Sequence, residues 1–260
     1  MRRLRSGVKN PPLGKLIPLI AVLIPIFIGA IFLKSSFFKI HLINLNLSQI
    51  NCTDEQNIKD KSNILNKNIF FVDEKNTKLD LKNKFICIKD IQFTKSLPDK
   101  ILMNVKGRIP VAELISIPNF ESSTSAVIEN IATPSASLDE TYLADDDGVV
   151  FAKGFADVSK IYFLGKTISI KEKQDEYLNK TLFILKLFKE LGIDNSKVYI
   201  IDNFLITNSH PKVAFLLNKE REEQIASLQL ILQKAKIDNK ELEFIDLRFD
   251  KPIIKYAPKK

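Results

Sequence analysis

Ile91-Gln92-Phe93-Thr94-Lys95-Ser96-Leu97-Pro98-Asp99-Lys100-Ile101-Leu102-Met103-Asn104-Val105 is the stretch whose reading decides the fold. Ile91 and Phe93 alternate with polar residues, Ser96-Leu97-Pro98-Asp99 supplies turn chemistry, and Ile101, Met103 and Val105 alternate again. This pattern predicts a β-hairpin with one face buried. On the N-terminal side the spacing predicts a helix over 73–85, capped by Asp73, with Leu81 and Phe85 one turn apart. Before it, Thr53-Asp54-Glu55-Gln56 reads as a capping box in which the Thr hydroxyl and the Gln side chain satisfy amides at a helix start. The short helix behind that box has Ile58, Ile64 and Leu65 on its apolar side. A first strand is expected where Phe38, Ile40 and Leu42 alternate with Lys39 and His41. The order β-α-α-β-β occupies about 70 residues, the size of a small domain.

Further towards the N-terminus, residues 16–33 read LIPLIAVLIPIFIGAIFL, without a charged side chain. A helix of that length at about 1.5 Å per residue covers roughly 27 Å, enough to cross a bilayer. Pro18 and Pro25 are costly inside an ordinary helix but tolerated in membrane helices. The exit Ile31-Phe32-Leu33-Lys34 lacks a small-residue cleavage site, so the segment is expected to stay attached as an anchor. Arg2, Arg3, Arg5, Lys9 and Lys15 precede it, and basic residues near a span are retained in the cytoplasm. Much of the net charge of +8 therefore sits in topology signals, and no basic run with interleaved aromatics suggests a nucleic-acid groove.

On the C-terminal side of the hairpin, residues 117–140 carry serines and prolines with little periodicity and read as a flexible loop. Tyr142-Leu143-Ala144 and Val149-Val150-Phe151, joined through Asp145-Asp146-Asp147-Gly148, predict a second hairpin. Two longer helices are expected over 173–191, ending at Gly192, and over 220–236, with Ile225, Leu228, Leu232 and Ala235 on one stripe. Strands are expected over 198–207, 213–217 and 242–249. The fold class is α+β: a basic tail (1–15), a transmembrane helix (16–33), a β-α-α-β-β domain (37–108) and a second mixed α+β domain (109–260).

The chain offers little for catalysis. It has two histidines, His41 in the expected strand and His210 before Pro211, too few for a metal site built on several His ligands. There is no P-loop, no G-x-S-x-G, no H-E-x-x-H and no paired-cysteine zinc pattern. Asp145-Asp146-Asp147 is the one acidic cluster that suggests a cation, but it lacks calcium-loop spacing and fits a hairpin turn. Neither a metal nor another cofactor is expected. Cys52 and Cys87 are compatible with a disulfide and equally with two free thiols. What remains is a surface for a partner: an edge strand near the C-terminus, where Ile253, Ile254 and Tyr256 have no obvious interior to fill. Ile245 and Leu247, in contrast, are expected to close the protein's own core.

Four stretches stand out: Asn66-Lys67-Asn68-Ile69-Phe70-Phe71-Val72-Asp73, Leu97 to Ile101 with Val105-Lys106-Gly107-Arg108-Ile109-Pro110-Val111-Ala112, Leu143 to Phe151, and Ile245-Asp246-Leu247-Arg248-Phe249-Asp250. In their order and spacing the chain resembles the FtsQ/DivIB family of bitopic bacterial cell-division proteins. It departs from the family in having Gly107 where Glu is usual, an insertion-like loop at 117–140 and a very short cytoplasmic tail. The resemblance implies a POTRA domain followed by a β domain, and a non-enzymatic scaffold that binds the small membrane proteins FtsL and FtsB at the division septum. It further implies that a partner strand adds to the late sheet at Arg248, Phe249, Asp250, Lys251, Ile253, Ile254 and Tyr256. The alternative is an anchored adaptor of another secretion or envelope-assembly complex. A membrane-anchored cell-wall hydrolase using Asp145 to Asp147 and another carboxylate is a third, chemically different reading.

Overall fold

The structure, a computed structural model, describes residues 32–50, 52–118, 120, 141–170, 176–193 and 197–258, together with Pro25 and Gly29. Arg2, Arg3, Arg5, Lys9, Lys15 and nearly all of the expected span lie outside the described residues, as does most of the loop expected at 117–140. Among the described residues, no helix is long and apolar enough to cross a membrane. The chain is mixed α+β and divides into two compact units between Gly107 and Arg108.

The first unit runs β1 (Leu42–Ser48), α1 (Glu55–Ser62), α2 (Glu74–Lys84), β2 (Ile88–Ser96) and β3 (Lys100–Gly107), with sheet order β1-β3-β2. The hairpin forms as its alternation requires: β2 is antiparallel to β3, and Ile91, Ile101, Met103 and Val105 are buried. β1 returns parallel to β3, which the two helices of the crossover make possible. Asp73 caps α2 by accepting from the Asn76 amide at 3.0 Å.

Two local expectations shift. Asp54, not Thr53, caps α1, accepting from the Asn57 amide at 2.8 Å, while Gln56 reaches forward to Asp60. A carboxylate one residue later takes the cap from the hydroxyl, because its charge also favours the helix N-terminus. The first strand begins later than the alternation at Phe38 suggests. Residues Ser36–Phe38 form a short 3-10 turn, Ile40 exchanges backbone hydrogen bonds with Asn66 and Lys67, and the sheet proper starts at Leu42. The alternation changes phase there: Ile40 and Ile43 are buried and Leu42 is exposed.

Cys52 and Cys87 are joined, with Cα atoms 6.4 Å apart, fastening the segment before α1 to the chain entering β2. At the end of β3 the backbone of Gln49 passes so close to Gly107 that a Cβ there would lie 1.9 Å from the Gln49 carbonyl oxygen. Only glycine fits that approach.

The second unit contains β4 (Ala112–Ile117), β5 (Thr141–Ala144), β6 (Val150–Lys153), β7 (Ser159–Leu164), α3 (Glu176–Glu190), β8 (Lys197–Ile201), β9 (Phe204–Thr207), β10 (Lys212–Leu216), α4 (Arg221–Ile237), β11 (Leu242–Asp246) and β12 (Ile253–Tyr256). The strands form one mixed sheet in the order β12-β11-β10-β9-β8-β7-β4-β5-β6. Phe188 of α3 and Leu228 of α4 join Leu114, Ile161, Phe163, Val198, Ile200, Val213, Phe215 and Ile245 in the main core. A smaller cluster, with Ile115, Tyr162, Leu164, Tyr199, Ile201, Ile206 and Ala214, occupies the opposite face.

The single strand expected over 198–207 is a hairpin, because Asp202, at φ 50°, turns the chain between β8 and β9. α3 ends at Gly192, φ 69°, where the Ile193 amide returns to the Phe188 carbonyl at 2.9 Å. Inside α4, the buried Gln224 side chain accepts from the Leu216 amide and donates to the Leu216 carbonyl, at 2.9 and 3.0 Å, tying the helix to the end of β10.

Candidate partner-binding edge

β11 pairs with β10 on one side and with β12 on the other; among the described residues β12 pairs with β11 alone. The antiparallel register sets Leu242 opposite Tyr256, Ile245 opposite Ile254 and Asp246 opposite Ile253, with a bulge between Leu242 and Phe244. In such a ladder the backbone groups of alternate residues point away from the partner strand. β12 therefore presents polar main-chain groups along its outer side, a template for a further strand.

The side chains of β12 divide between interior and surface. Ile254 packs against the main core, while Ile253 and Tyr256 are 54% and 42% exposed. Lys255 donates to Glu243 at 2.8 Å, and the Lys240 ammonium lies 5.2 Å from the centre of the Tyr256 ring. Ile254 thus contributes more to holding the edge strand down than to an outer surface. Ile245 and Leu247 are fully enclosed.

The loop between β11 and β12 is built by Asp246. The strand expected to reach 249 stops there because the Asp246 carboxylate accepts the Arg248 amide at 3.1 Å and replaces a ladder bond. The same carboxylate takes the Arg248 guanidinium in a two-pronged pair at 2.8 and 2.6 Å. That pair raises the Arg248 pKa above its ordinary value, against the opposing effect of burial. The guanidinium carbon lies 5.2 Å from the Phe204 ring centre and 5.7 Å from that of Phe249.

Arg248 is consequently a positioning residue, largely enclosed, that supports the exposed Phe249 ring. Asp250 pairs with Lys219 at 3.0 Å, and Lys251 is exposed. Phe204 and Lys219 belong to this neighbourhood but carry no sequence signal for it, since each arrives from a distant part of the chain, whereas Lys240 stands two residues before β11.

The acidic cluster has a structural occupation. Asp145 is fully buried and ion-paired with Arg108, and its carboxylate also accepts from the amides of Asp147 and Val149 at 3.1 and 2.9 Å. Gly148, φ 73°, completes the turn between β5 and β6. The three carboxylates lie close enough together for a cation, but the guanidinium already supplies the positive charge that Asp145 requires.

A scan against models of known protein families finds no match to this chain, and a search of curated proteins finds no relative.

Proposed function

We propose that this protein is a single-pass membrane scaffold of the bacterial divisome, of FtsQ/DivIB type. On this reading the tail is cytoplasmic, both units are extracytoplasmic, the first unit is a POTRA domain and the second a β domain, and no reaction is catalysed. Its partners are FtsL/FtsB-like proteins gathered at the division septum. The observation that carries the reading is β12, an outermost strand of the second sheet among the described residues, beside the exposed Phe249 and Asp250. An extended partner segment adds there by main-chain hydrogen bonds, and Ile253, Tyr256 and Phe249 supply side-chain selectivity. The Cys52–Cys87 link supports an oxidising, extracytoplasmic setting for the first unit.

The test has two arms. A fluorescent fusion is expected to gather at midcell, and its depletion to give filaments; a uniform membrane signal overturns the divisome role in favour of an adaptor of another envelope complex. In the second arm, Ile253→Asp combined with Phe249→Ala is expected to abolish co-purification of FtsL/FtsB-type partners while the melting temperature stays unchanged, since both side chains are exposed. Retained co-purification overturns the edge as the binding site.

A further inference from the structure

The first unit carries an aromatic patch that its own core does not use. Phe32, Phe37, Phe70 and Phe71 are 58%, 58%, 41% and 65% exposed, while Phe38, 8% exposed, is the hub on which Phe32, Phe37 and Phe70 meet, Phe71 following Phe70 in the chain. The Phe38 ring centre lies 5.4 Å from that of Phe32, 5.1 Å from Phe37 and 5.0 Å from Phe70. Asn68 fastens the patch: its Nδ2 donates to the Leu33 carbonyl at 2.6 Å, and its Oδ1 accepts from the Phe70 amide at 3.0 Å. One side chain thereby ties the short 3-10 turn Ile69–Phe71 to the last residue of the apolar segment 16–33.

We propose that this patch rests in the interfacial layer of the lipid bilayer, so that the first unit is seated on the membrane rather than only tethered to it. The proposal rests on residues 16–33 being a span. Continuity selects lipid over a protein partner. If the span ends at Leu33, a chain of at most about 3.6 Å per residue keeps Phe37 within roughly 15 Å of the bilayer edge, and Asn68 holds Phe70 and Phe71 to the same point. Lys34, Lys39 and Lys67 are exposed and lie within three residues of Phe32, Phe37 and Phe70 in sequence. Apolar rings flanked by lysines are the composition of a surface that buries its apolar side among acyl chains and sets ammonium groups against phosphates.

The chain contains no tryptophan, so one introduced indole is an unambiguous reporter. Phe71→Trp and Phe37→Trp are made singly in the full chain and reconstituted into phosphatidylcholine–phosphatidylglycerol vesicles, with and without acyl-chain-brominated lipid. Leu79→Trp, at a 57% exposed position on α2, is the comparison. Both patch indoles are expected to emit at shorter wavelength and to be quenched at least about twofold more by brominated lipid than the Leu79 indole. Quenching no greater than at Leu79, in protein that still floats with the vesicles, overturns the seating and leaves the span intact. A blue-shifted indole that brominated lipid does not quench indicates a second copy of the chain over the patch and likewise overturns it. Protein that fails to float overturns the span reading, and the seating with it.

Discussion

Asp246 accepts three hydrogen bonds from Arg248, two from the guanidinium at 2.8 and 2.6 Å and one from the backbone amide at 3.1 Å, and so sets both the end of β11 and the start of the loop into β12. Both side chains are largely removed from solvent. Removing one member leaves the other buried and unpaired, the expensive way to break an ion pair. Asp246→Ala is expected to destabilise the second unit by about 3 kcal/mol, read by urea denaturation. Partner binding should fall with it, because β12 loses its anchored approach. A variant with unchanged denaturation midpoint would show that the pair contributes nothing net.

Gly107 offers a sharper test, because what stands against it is backbone. Here the Gln49 carbonyl carbon and oxygen stand 2.6 and 1.9 Å from where a Cβ would be, and backbone cannot swing aside as a side chain can. Gly107→Glu and Gly107→Ala are both expected to cost about 1–3 kcal/mol in the first unit. A higher melting temperature for either variant would contradict the close approach.

The Cys52–Cys87 link spans a sequence separation of 35 residues. Closing a loop of that length removes enough freedom from the unfolded chain to stabilise the first unit by about 3–4 kcal/mol on the chain-entropy account. Cys52→Ser with Cys87→Ser should lower the unfolding midpoint of the first unit and leave that of the second in place. The same shift is expected on adding dithiothreitol to the unaltered protein, so equal midpoints with and without reductant would exclude the bond in solution.

On the second sheet face, the Tyr162 and Tyr199 rings stack with centres 4.9 Å apart. Burial pushes the Tyr199 hydroxyl from 10.0 up to about 12, with Tyr162 adding a smaller contribution, and burial raises Tyr162 as well. A folded pKa above the unfolded one means that the unfolded chain releases its proton first. Stability from these hydroxyls is therefore complete below pH 10 and is lost as the pH rises towards about 12. In a denaturation series against pH, Tyr199→Phe should reduce this alkaline loss, and tyrosinate absorbance of the unaltered protein should show a late-titrating fraction. Complete, early titration of all tyrosines would refute it.

Much of the first unit is legible because its signals are local. The β2–β3 hairpin declares itself by alternation on either side of Leu97-Pro98-Asp99, and α2 by the carboxylate of Asp73 placed to meet the Asn76 amide. The phase change between Ile40 and Ile43 is not legible, because it arises when Ile40 bonds to Asn66 and Lys67, remote in sequence. In the second unit, β4 and β7 carry no alternation: Leu114 and Ile115, or Ile161 and Tyr162, are buried in succession because both sheet faces are covered. A run of that kind has no period by which to separate it from other buried segments.

By itself the sequence determined the apolar segment at 16–33, the order of elements in the first unit and the helices that flank the later strands, since each depends on patterns within a few turns of chain. The tertiary structure alone decided that the edge expected near the C-terminus is β12, a strand separate from β11, that Ile254 turns inward while Ile253 and Tyr256 stay out, and that Arg248 is held between Asp246 and the rings of Phe204 and Phe249. Being an edge is a relation among strands, and the charge balance of a buried pair is a relation among side chains. Both are set by which distant segments meet, and hydrophobic pattern alone leaves that undecided.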